Sequence, residues 1–405
     1  MTENEGVLIG EIFLMFLFIR ILLSGKRKLR LTPLFIVFQL FLSYTILISS
    51  LLNGILYVIF PWNAILYFLR VLLYTSLYFY FQNSAAAECK VVLKYFTWPF
   101  IIGSFFSLSI MVVRYLVNPP SPTEVLWGYS LGARNIPIFA LALSKDSFLF
   151  LRPIGGGAGN LLSTWSLINV IIFENYYSQF KEKKKLERYR TIVWFLVTTN
   201  ILTSFSRGGI LTLFLLWFYL SLKKILISRK LRIKSLALIL LLIVIPFFLV
   251  EILVPVTVFD RLKMLFDFND GLEPSSYGRV VNYDFLFSNL TMYTWIFGGG
   301  FDESTSLKNF KIKFAESFYL DIIRSGGAIS MLIFNIFLFL IFITKSQSIF
   351  ARSLKEFIAI ESVVMWSVTG GDFYSAPVLY FICVALGMLT REAKNGRTRT
   401  IEPRK

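Results

Sequence analysis

The chain of 405 residues has no histidine and only two cysteines. Without histidine there is no histidine general base and no histidine-ligated metal. Cys89 and Cys383 lie far apart in the topology predicted below, so neither a disulfide nor a cysteine metal cluster is expected. The sequence therefore predicts a protein that works without a metal and without a cofactor.

Acidic residues are also scarce: the chain has 24 Asp and Glu and 41 Lys and Arg, which gives a net charge of +17. A nucleic-acid-binding protein would carry such charge on a soluble basic domain. This chain is instead 56% hydrophobic with a mean hydropathy of +0.68. We expect no nucleic-acid partner. The positive charge is expected to orient the chain in a membrane and to contact anionic membrane lipids.

Apolar runs long enough to cross a bilayer recur along the whole chain. Backbone groups exposed to lipid must be hydrogen-bonded within their own segment, so these runs form helices rather than open sheet. The sequence predicts an all-α, polytopic integral membrane protein: one transmembrane domain, residues 1–405, with about eleven transmembrane helices, ten to twelve fitting the pattern. The predicted spans are 7–23, 34–59, 62–82, 91–117, 161–179, 191–205, 208–222, 235–256, 315–343, 357–370 and 373–389.

Basic clusters alternate with these spans, and the positive-inside rule places the clusters in the cytoplasm. This predicts a multi-pass protein of the inner (cytoplasmic) membrane, with an outside N-terminus and a basic cytoplasmic tail at 390–405. Residues 1–6 carry no basic side chain, so the first apolar run is expected to be a retained span rather than a signal peptide. The clusters are 26–30, Lys90 with Lys94, 181–190, 223–234, 345–355 and 391–405.

Two long segments fall on the predicted outer side: 118–160, an outer or re-entrant loop region, and 257–314, a large extracytoplasmic loop. Long loops often carry function. The outer side also carries arginines, whose planar, always charged forks suit bidentate contact with phosphate. Each arginine has an alternative role in snorkelling or in an ion pair. As a group they favour a phosphate-bearing ligand: Arg114, Arg134, Arg152, Arg207, Arg261, Arg279 and Arg324.

Four short segments, in this order, resemble the bacterial O-antigen polymerase and ligase superfamily of membrane glycosyltransferases, above all its Wzy-type polymerases. Together they cover about the C-terminal two-thirds of the chain. The segments are Arg152-Pro153-Ile154-Gly155 with Gly159-Asn160, Ser206-Arg207-Gly208-Gly209, Ser276-Tyr277-Gly278-Arg279 leading to Gly298-Gly299-Gly300-Phe301, and Glu316-Ser317-Phe318-Tyr319-Leu320 followed by Arg324-Ser325-Gly326-Gly327.

The resemblance implies a metal-independent glycosyltransferase that joins a glycan on undecaprenyl pyrophosphate to an acceptor sugar hydroxyl. Members of the ligase branch carry a His-Asn pair where this chain has Glu316-Ser317, so the polymerase interpretation is favoured. Glu316 becomes the candidate general base or the group that positions the attacking hydroxyl. Its alternative role is to complement the dipole of the helix that begins nearby.

The predicted catalytic residues are Glu316, Arg207 and Arg279, with the two arginines binding the pyrophosphate and Arg152 assisting them. Glycines allow close backbone approach to phosphate or sugar. Asn160 either bonds a sugar or caps its helix. Asp372 either adds a carboxylate or solvates a turn. Tyr319 either stacks on a sugar ring or belongs to an interfacial aromatic belt. The full predicted substrate-binding set is Arg152, Asn160, Gly298, Gly299, Gly300, Tyr319, Arg324 and Asp372.

Three other functions stay open at this point. A ligase delivering the glycan to a lipid or protein acceptor shares the whole fold. A flippase for the lipid-linked oligosaccharide belongs to another class, and transporters often show an internal repeat; no convincing repeat is found here. A glycosidase would pair Glu316 with Asp302, Glu303 or Asp321, but it leaves the outer arginines without a role. On the resemblance alone, a chain-length regulator and a flippase are expected as partners.

Overall fold

A computed structural model describes residues 9–23, 30–84, 86–117, 159–179, 184–204, 207–228, 274–312, 315, 317–345, 348–363 and 372–399. Every regular element in these ranges is a helix. The helices in chain order are α1 (Ile9–Leu23), α2 (Pro33–Tyr57), α3 (Trp62–Asn83), α4 (88–117), α5 (Gly159–Ser178), α6 (Lys184–Ser204), α7 (Arg207–Ser228), α8 (Pro274–Ser288), α9 (Met292–Phe297), α10 (Glu303–Phe310), α11 (Phe318–Ile343), α12 (Ile349–Val363) and α13 (Ala376–Arg399).

The chain divides into two compact units. Unit 1 comprises Met1–Glu88, Gly278–Lys355 and Trp366–Lys405, and unit 2 comprises Cys89–Tyr277 and Glu356–Met365.

Three helices of unit 1 are long and apolar enough to cross a membrane: α2 with 25 residues, α3 with 22 and α11 with 26. α2 starts sharply because the Thr32 hydroxyl accepts a hydrogen bond from Phe35 N at 3.3 Å and Pro33 occupies the first helical position. It includes a π-helical stretch at Ser43–Ile48 and ends where Val58 adopts a left-handed conformation. Length and composition therefore agree with three of the predicted spans.

The core of unit 1 lies between α2 and α11, which run antiparallel. Phe38 packs on Phe337 and Phe41 on Phe334, with ring centroids 5.1 and 5.0 Å apart. Along the other side of the unit α3 and α13 run parallel, and Tyr74 meets Tyr380 edge to face. α1 packs on α3. Close packing of these large rings helps to hold the helices of this unit together.

At one end of unit 1, the start of α2 meets the ends of α3 and α13. Gln82 Nε2 donates to Arg30 O at 2.6 Å, and Arg391 donates to Ala86 O. The Glu88 carboxylate accepts from Phe350 N at 3.0 Å at the start of α12. Segments that the charge pattern assigns to one side of the membrane thus lie at one end of this unit.

Unit 2 is built on the antiparallel pair α5 and α6, with α4 and α7 packed against it. Asn200 of α6 donates to Ser104 of α4 at 2.9 Å and to Ser166 of α5 at 3.5 Å. Buried amides and hydroxyls of this kind hold apolar helices together where water is absent.

Two carboxylates connect neighbouring helices at one end of unit 2. Glu174 accepts from Arg190 and, at 2.7 Å, from Trp194 Nε1. Burial opposes the charge on Arg190, but the attraction of Glu174 outweighs it and raises the pKa of the guanidinium. Glu356 of α12 accepts from three donors: Asn175 at 2.7 Å, Tyr219 at 2.9 Å and Lys223 at 2.6 Å.

The described helices bear on two segment predictions. The described part of the predicted extracytoplasmic loop 257–314 holds three helices, α8 to α10. α13 continues to Arg399, so the predicted tail 390–405 begins inside a helix. The predicted span 235–256 and most of the loop region 118–160 lie outside the described residues, and residues 159 and 160 open α5.

Candidate functional site

Two of the four motifs meet at the end of unit 1 opposite the basic segments. Residues 298–300 pack on residues 324–327 of α11, and we call this contact the glycine junction. α11 is interrupted at Gly327, whose φ of 64° and ψ of −160° are not helical. Such a break frees the carbonyls of the preceding turn. Gly299 N donates to Arg324 O at 2.7 Å and Gly300 N to Ser325 O at 3.1 Å, which restores their hydrogen bonds.

Only glycine fits at the centre of the junction. A Cβ on Gly298, where φ is 78°, would lie 2.5 Å from the backbone of Gly326. A Cβ on Gly327 would lie 2.6 Å from Gly298 N. Both distances are too short for carbon, and both residues have positive φ. The two backbones can therefore touch only because both motifs are glycines at these points.

One face of α2 supports the junction with polar side chains. The Ser49 hydroxyl donates to Phe297 O at 2.9 Å and also contacts Ser325 O. Asn53 Nδ2 donates to Gly298 O at 3.0 Å, and Thr45 shares a 2.7 Å hydrogen bond with Ser330. Thr45, Ser49 and Asn53 are fully buried. The i, i+4, i+8 spacing aligns them on one face.

Asp302 fixes the chain that leaves the junction. One carboxylate oxygen accepts from Ser304 N at 3.0 Å and caps α10, while the other accepts from Ala64 N at 3.3 Å near the start of α3. Its own N–H donates to Ser50 Oγ at 3.2 Å. A single buried carboxylate thus satisfies donors at two helix N-termini, where negative charge is favourable.

Arg324 is 2% exposed and forms a buried ion pair with Asp321, Nε to Oδ1, at 2.7 Å. Its Nη1 donates to Ser306 Oγ at 2.6 Å and to Gly300 O at 3.3 Å. The same Asp321 oxygen accepts from Ala315 N at 3.1 Å. The guanidinium therefore links α10, α11 and the glycine segment, and its observed contacts are internal to the protein.

Aromatic rings form a layer beneath the glycine segment. Phe301 lies between Tyr67 of α3 and Tyr374, with centroid distances of 5.2 and 5.3 Å. The Tyr67 hydroxyl donates to Tyr374 O. Phe318 stacks on Phe373 at 4.7 Å. This layer connects the junction to the short 3₁₀ turn Asp372–Tyr374 that precedes α13.

The predicted site residues are distributed between the two units. Gly298, Gly299, Gly300 and Arg324 are buried in the junction, and Tyr319 is half-buried one turn before Arg324. In unit 1, Arg279 lies in α8 and Asp372 opens the 3₁₀ turn. In unit 2, Asn160 is the second residue of α5 and Arg207 is the first residue of α7. For these four residues only the backbone is described. Arg152 and Glu316 lie outside the described residues. Their roles in binding and catalysis stay predictions.

The chemistry of the junction follows from its hydrogen bonds. The N–H groups of Gly299 and Gly300 are used by α11, and the carboxylates of Asp302 and Asp321 are engaged with helix ends and with Arg324. These groups form a rigid support rather than a set of free donors. Within the described residues, no three His, Cys, Asp or Glu side chains are placed to hold a metal ion.

The polar face of α2 was missed at the sequence level. Its signal is four hydroxyl or amide residues in 45–53, within a run that is otherwise apolar. Polar residues inside a predicted span commonly face other protein segments rather than lipid. The pattern predicts a buried contact, but not that its partner lies about 250 positions away.

Comparisons with family models, curated proteins and solved structures found no match to this chain. Its function must therefore be argued from its residues and their arrangement.

Proposed function

We propose that the chain is a multi-pass protein of the cytoplasmic membrane that polymerises oligosaccharide repeat units carried on undecaprenyl pyrophosphate. The reaction takes place at the outer face, and the product is O-antigen, capsular or another surface polysaccharide. About eleven spans, an outside N-terminus and a cytoplasmic C-terminus complete the proposal. The observation that carries it is the packing of the third motif onto the fourth, through glycines that no other residue can replace.

The proposed chemistry is a glycosyl transfer without a metal. An acceptor hydroxyl oxygen attacks the anomeric carbon, the bond from that carbon to the pyrophosphate oxygen breaks, and undecaprenyl pyrophosphate leaves. Glu316 takes the proton of the attacking hydroxyl. Arg207 and Arg279, with Arg152, neutralise the leaving group. Because pyrophosphate is already a good leaving group, the protein mainly needs to orient the two substrates.

The glycine junction would serve this reaction as a scaffold. Its glycines 298–300 end the segment 274–300, which contains Arg279. In the sequence Glu316 lies between the two halves of the junction, sixteen residues after Gly300 and eight before Arg324. Saturated hydrogen bonds and close backbone packing make a rigid base, and rigid bases hold catalytic side chains in a productive geometry.

A flippase for lipid-linked oligosaccharide is the second candidate. One observation favours it: α11 is interrupted at Gly327 inside a predicted span, and interrupted helices are common in transporters. The two candidates differ in where repeat units accumulate when the protein is missing.

The test is the length distribution of surface glycan in a deletion strain restored with wild type, Arg207→Ala, Arg279→Ala or Glu316→Ala. Single repeat units at the surface of the deletion strain, with long chains returning only with wild type, support a polymerase. Full-length polymer held on its lipid carrier would instead indicate a ligase, and repeat units trapped in the cytoplasm a flippase. Arg188→Ala, an exposed arginine on the predicted cytoplasmic side, is the matched control and should restore long chains.

A further inference from the structure

Exposed apolar side chains gather at the same end of unit 1 as the glycine junction. In the turn between α2 and α3, Val58 is 93% exposed, Phe60 58% and Trp62 62%. Phe60 and Trp62 pack together with ring centroids 4.5 Å apart. In α9, Met292 is 80% exposed and Trp295 46%. We call these five residues the interfacial surface. Large exposed apolar side chains also occur along α1, α2 and α11, and these five are distinguished by their place at the end of the unit.

The two parts of this surface are held at the same end of the unit. The end of α9 is bound to α2 through Ser49 and Asn53, just before the turn. Burial, and then the nearby Tyr57 at the end of α2, raise the pKa of Tyr293 in α9. α9 and the α2–α3 turn are therefore neighbours at one level of the molecule.

Two exposed lysines flank the surface. Lys308 is in α10 and Lys311 ends it, and both are exposed. α10 is fixed beside the turn because the Tyr57 hydroxyl donates to Asn309 Oδ1 at 2.7 Å. Tryptophan and tyrosine together with lysine are the composition of protein surfaces at a membrane–water interface.

Helix length gives the depth of this surface. α2 has 25 residues, which span about 37 Å at about 1.5 Å per residue. A hydrocarbon core of about 30 Å leaves the end of such a helix at the headgroup boundary. The turn at Val58 then lies where acyl chains meet headgroups, and the glycine junction, bound by Ser49 and Asn53 of α2, lies deeper by about 8 to 13 Å along that helix.

We propose that the interfacial surface binds the outer lipid headgroup layer of the bilayer: its apolar side chains enter the acyl boundary while Lys308 and Lys311 contact phosphates of anionic phospholipids. This inference rests on the membrane location in the proposed function. It extends that function, because the surface would fix how far below the headgroup layer the glycine junction lies.

The test measures depth with spin labels on cysteines at Val58 and Met292, in a Cys89→Ser, Cys383→Ala background reconstituted in nanodiscs. A label at Leu332, which is 62% exposed in the middle of α11, serves as the deep reference, and one at the exposed Lys345 as the aqueous reference. Accessibility to oxygen and to a water-soluble nickel complex should place both labels between the references. Labels as water-accessible as the one at Lys345, or shielded from both reagents by a protein partner, would overturn the proposal.

A second arm tests the lysines. The affinity for phosphatidylglycerol is measured by titration with native mass spectrometry. The double variant Lys308→Gln, Lys311→Gln should bind this lipid more weakly, by about fivefold per lysine. The double variant Lys308→Arg, Lys311→Arg should keep the wild-type affinity. Unchanged affinity in the glutamine variant would remove the headgroup contact. Neither arm uses polymerisation. Wrong depth with normal glycan chains would reject this inference alone, and correct depth without polymerisation would reject only the proposed function.

Discussion

Unit 1 and unit 2 are both built from apolar helices, yet they fix their polar groups in different ways. In unit 1, buried side chains hold backbone: serine, asparagine and arginine bind the carbonyls of a glycine segment and of a broken helix. In unit 2, side chains bind side chains, as Glu174 and Glu356 gather cations, amides and a tyrosine. The first unit should therefore depend most on the shape of the glycine junction and then on one buried ion pair, and the second on carboxylate contacts at its end.

The largest effect should come from adding one methyl group at the junction. Gly327→Ala places a Cβ 2.6 Å from Gly298 N at a positive φ, so strain and overpacking together should cost about 4 kcal/mol or more. Gly103→Ala in unit 2 is the control, because a Cβ there meets nothing within 4 Å, and it should be neutral or slightly stabilising. Thermal unfolding in detergent measures both. Equal stability of the two variants would refute the dependence on shape.

The next largest effect should follow loss of the buried arginine. Arg324→Met leaves Asp321 as an uncompensated buried charge and should cost about 3–4 kcal/mol. Adding Asp321→Asn removes that charge and should recover part of the loss. If the single and double variants unfold at the same temperature, the ion pair is not what Arg324 contributes.

In unit 2, Glu356→Gln tests the role of charge. Glutamine keeps the size of the side chain but loses the ionic contact with Lys223, and the expected cost is about 1–2 kcal/mol. Lys223→Gln should cost nearly as much, and the double variant little more than either alone. Strictly additive losses in this double-mutant cycle would show that the two groups act independently.

The smallest effect should come from Asp302→Asn. An amide has one oxygen, so it can accept from Ser304 N or from Ala64 N but not satisfy both as the carboxylate does. Loss of one cap and of the charge at two helix ends should cost about 1 kcal/mol. Thr32→Ala, which removes the single cap of α2, should cost a similar amount in the same thermal assay. An Asp302→Asn variant as stable as wild type would mean that one helix does not need this cap.

Apolar runs and flanking charge were sufficient to predict α1, α2, α3 and α11, because helices in lipid follow from length and hydropathy. Three helices, α8, α9 and α10, were missed within the predicted loop. α9 and α10, of six and eight residues, carry no periodic signal and begin at capping side chains, Thr291 and Asp302.

The site could be predicted only in part. The structure packs the glycine segment on the Arg324 motif, and their joint role in one site stays a prediction. That Arg324 pairs with Asp321, or that Ser49 supports the glycines, depends on contacts between distant segments, which local sequence does not encode. The charge of an arginine is visible in the sequence, but its partner is not.

The proposal that this chain polymerises lipid-linked repeat units is tested most directly with purified protein. Wild-type protein in liposomes, given repeat units on undecaprenyl pyrophosphate in a buffer with chelator, should produce a ladder of longer glycans and release undecaprenyl pyrophosphate. Arg207→Ala should produce neither, and Arg207→Lys should remain impaired because lysine cannot make the bidentate contact. Repeat units that stay unlinked with correctly folded wild-type protein would contradict the claim.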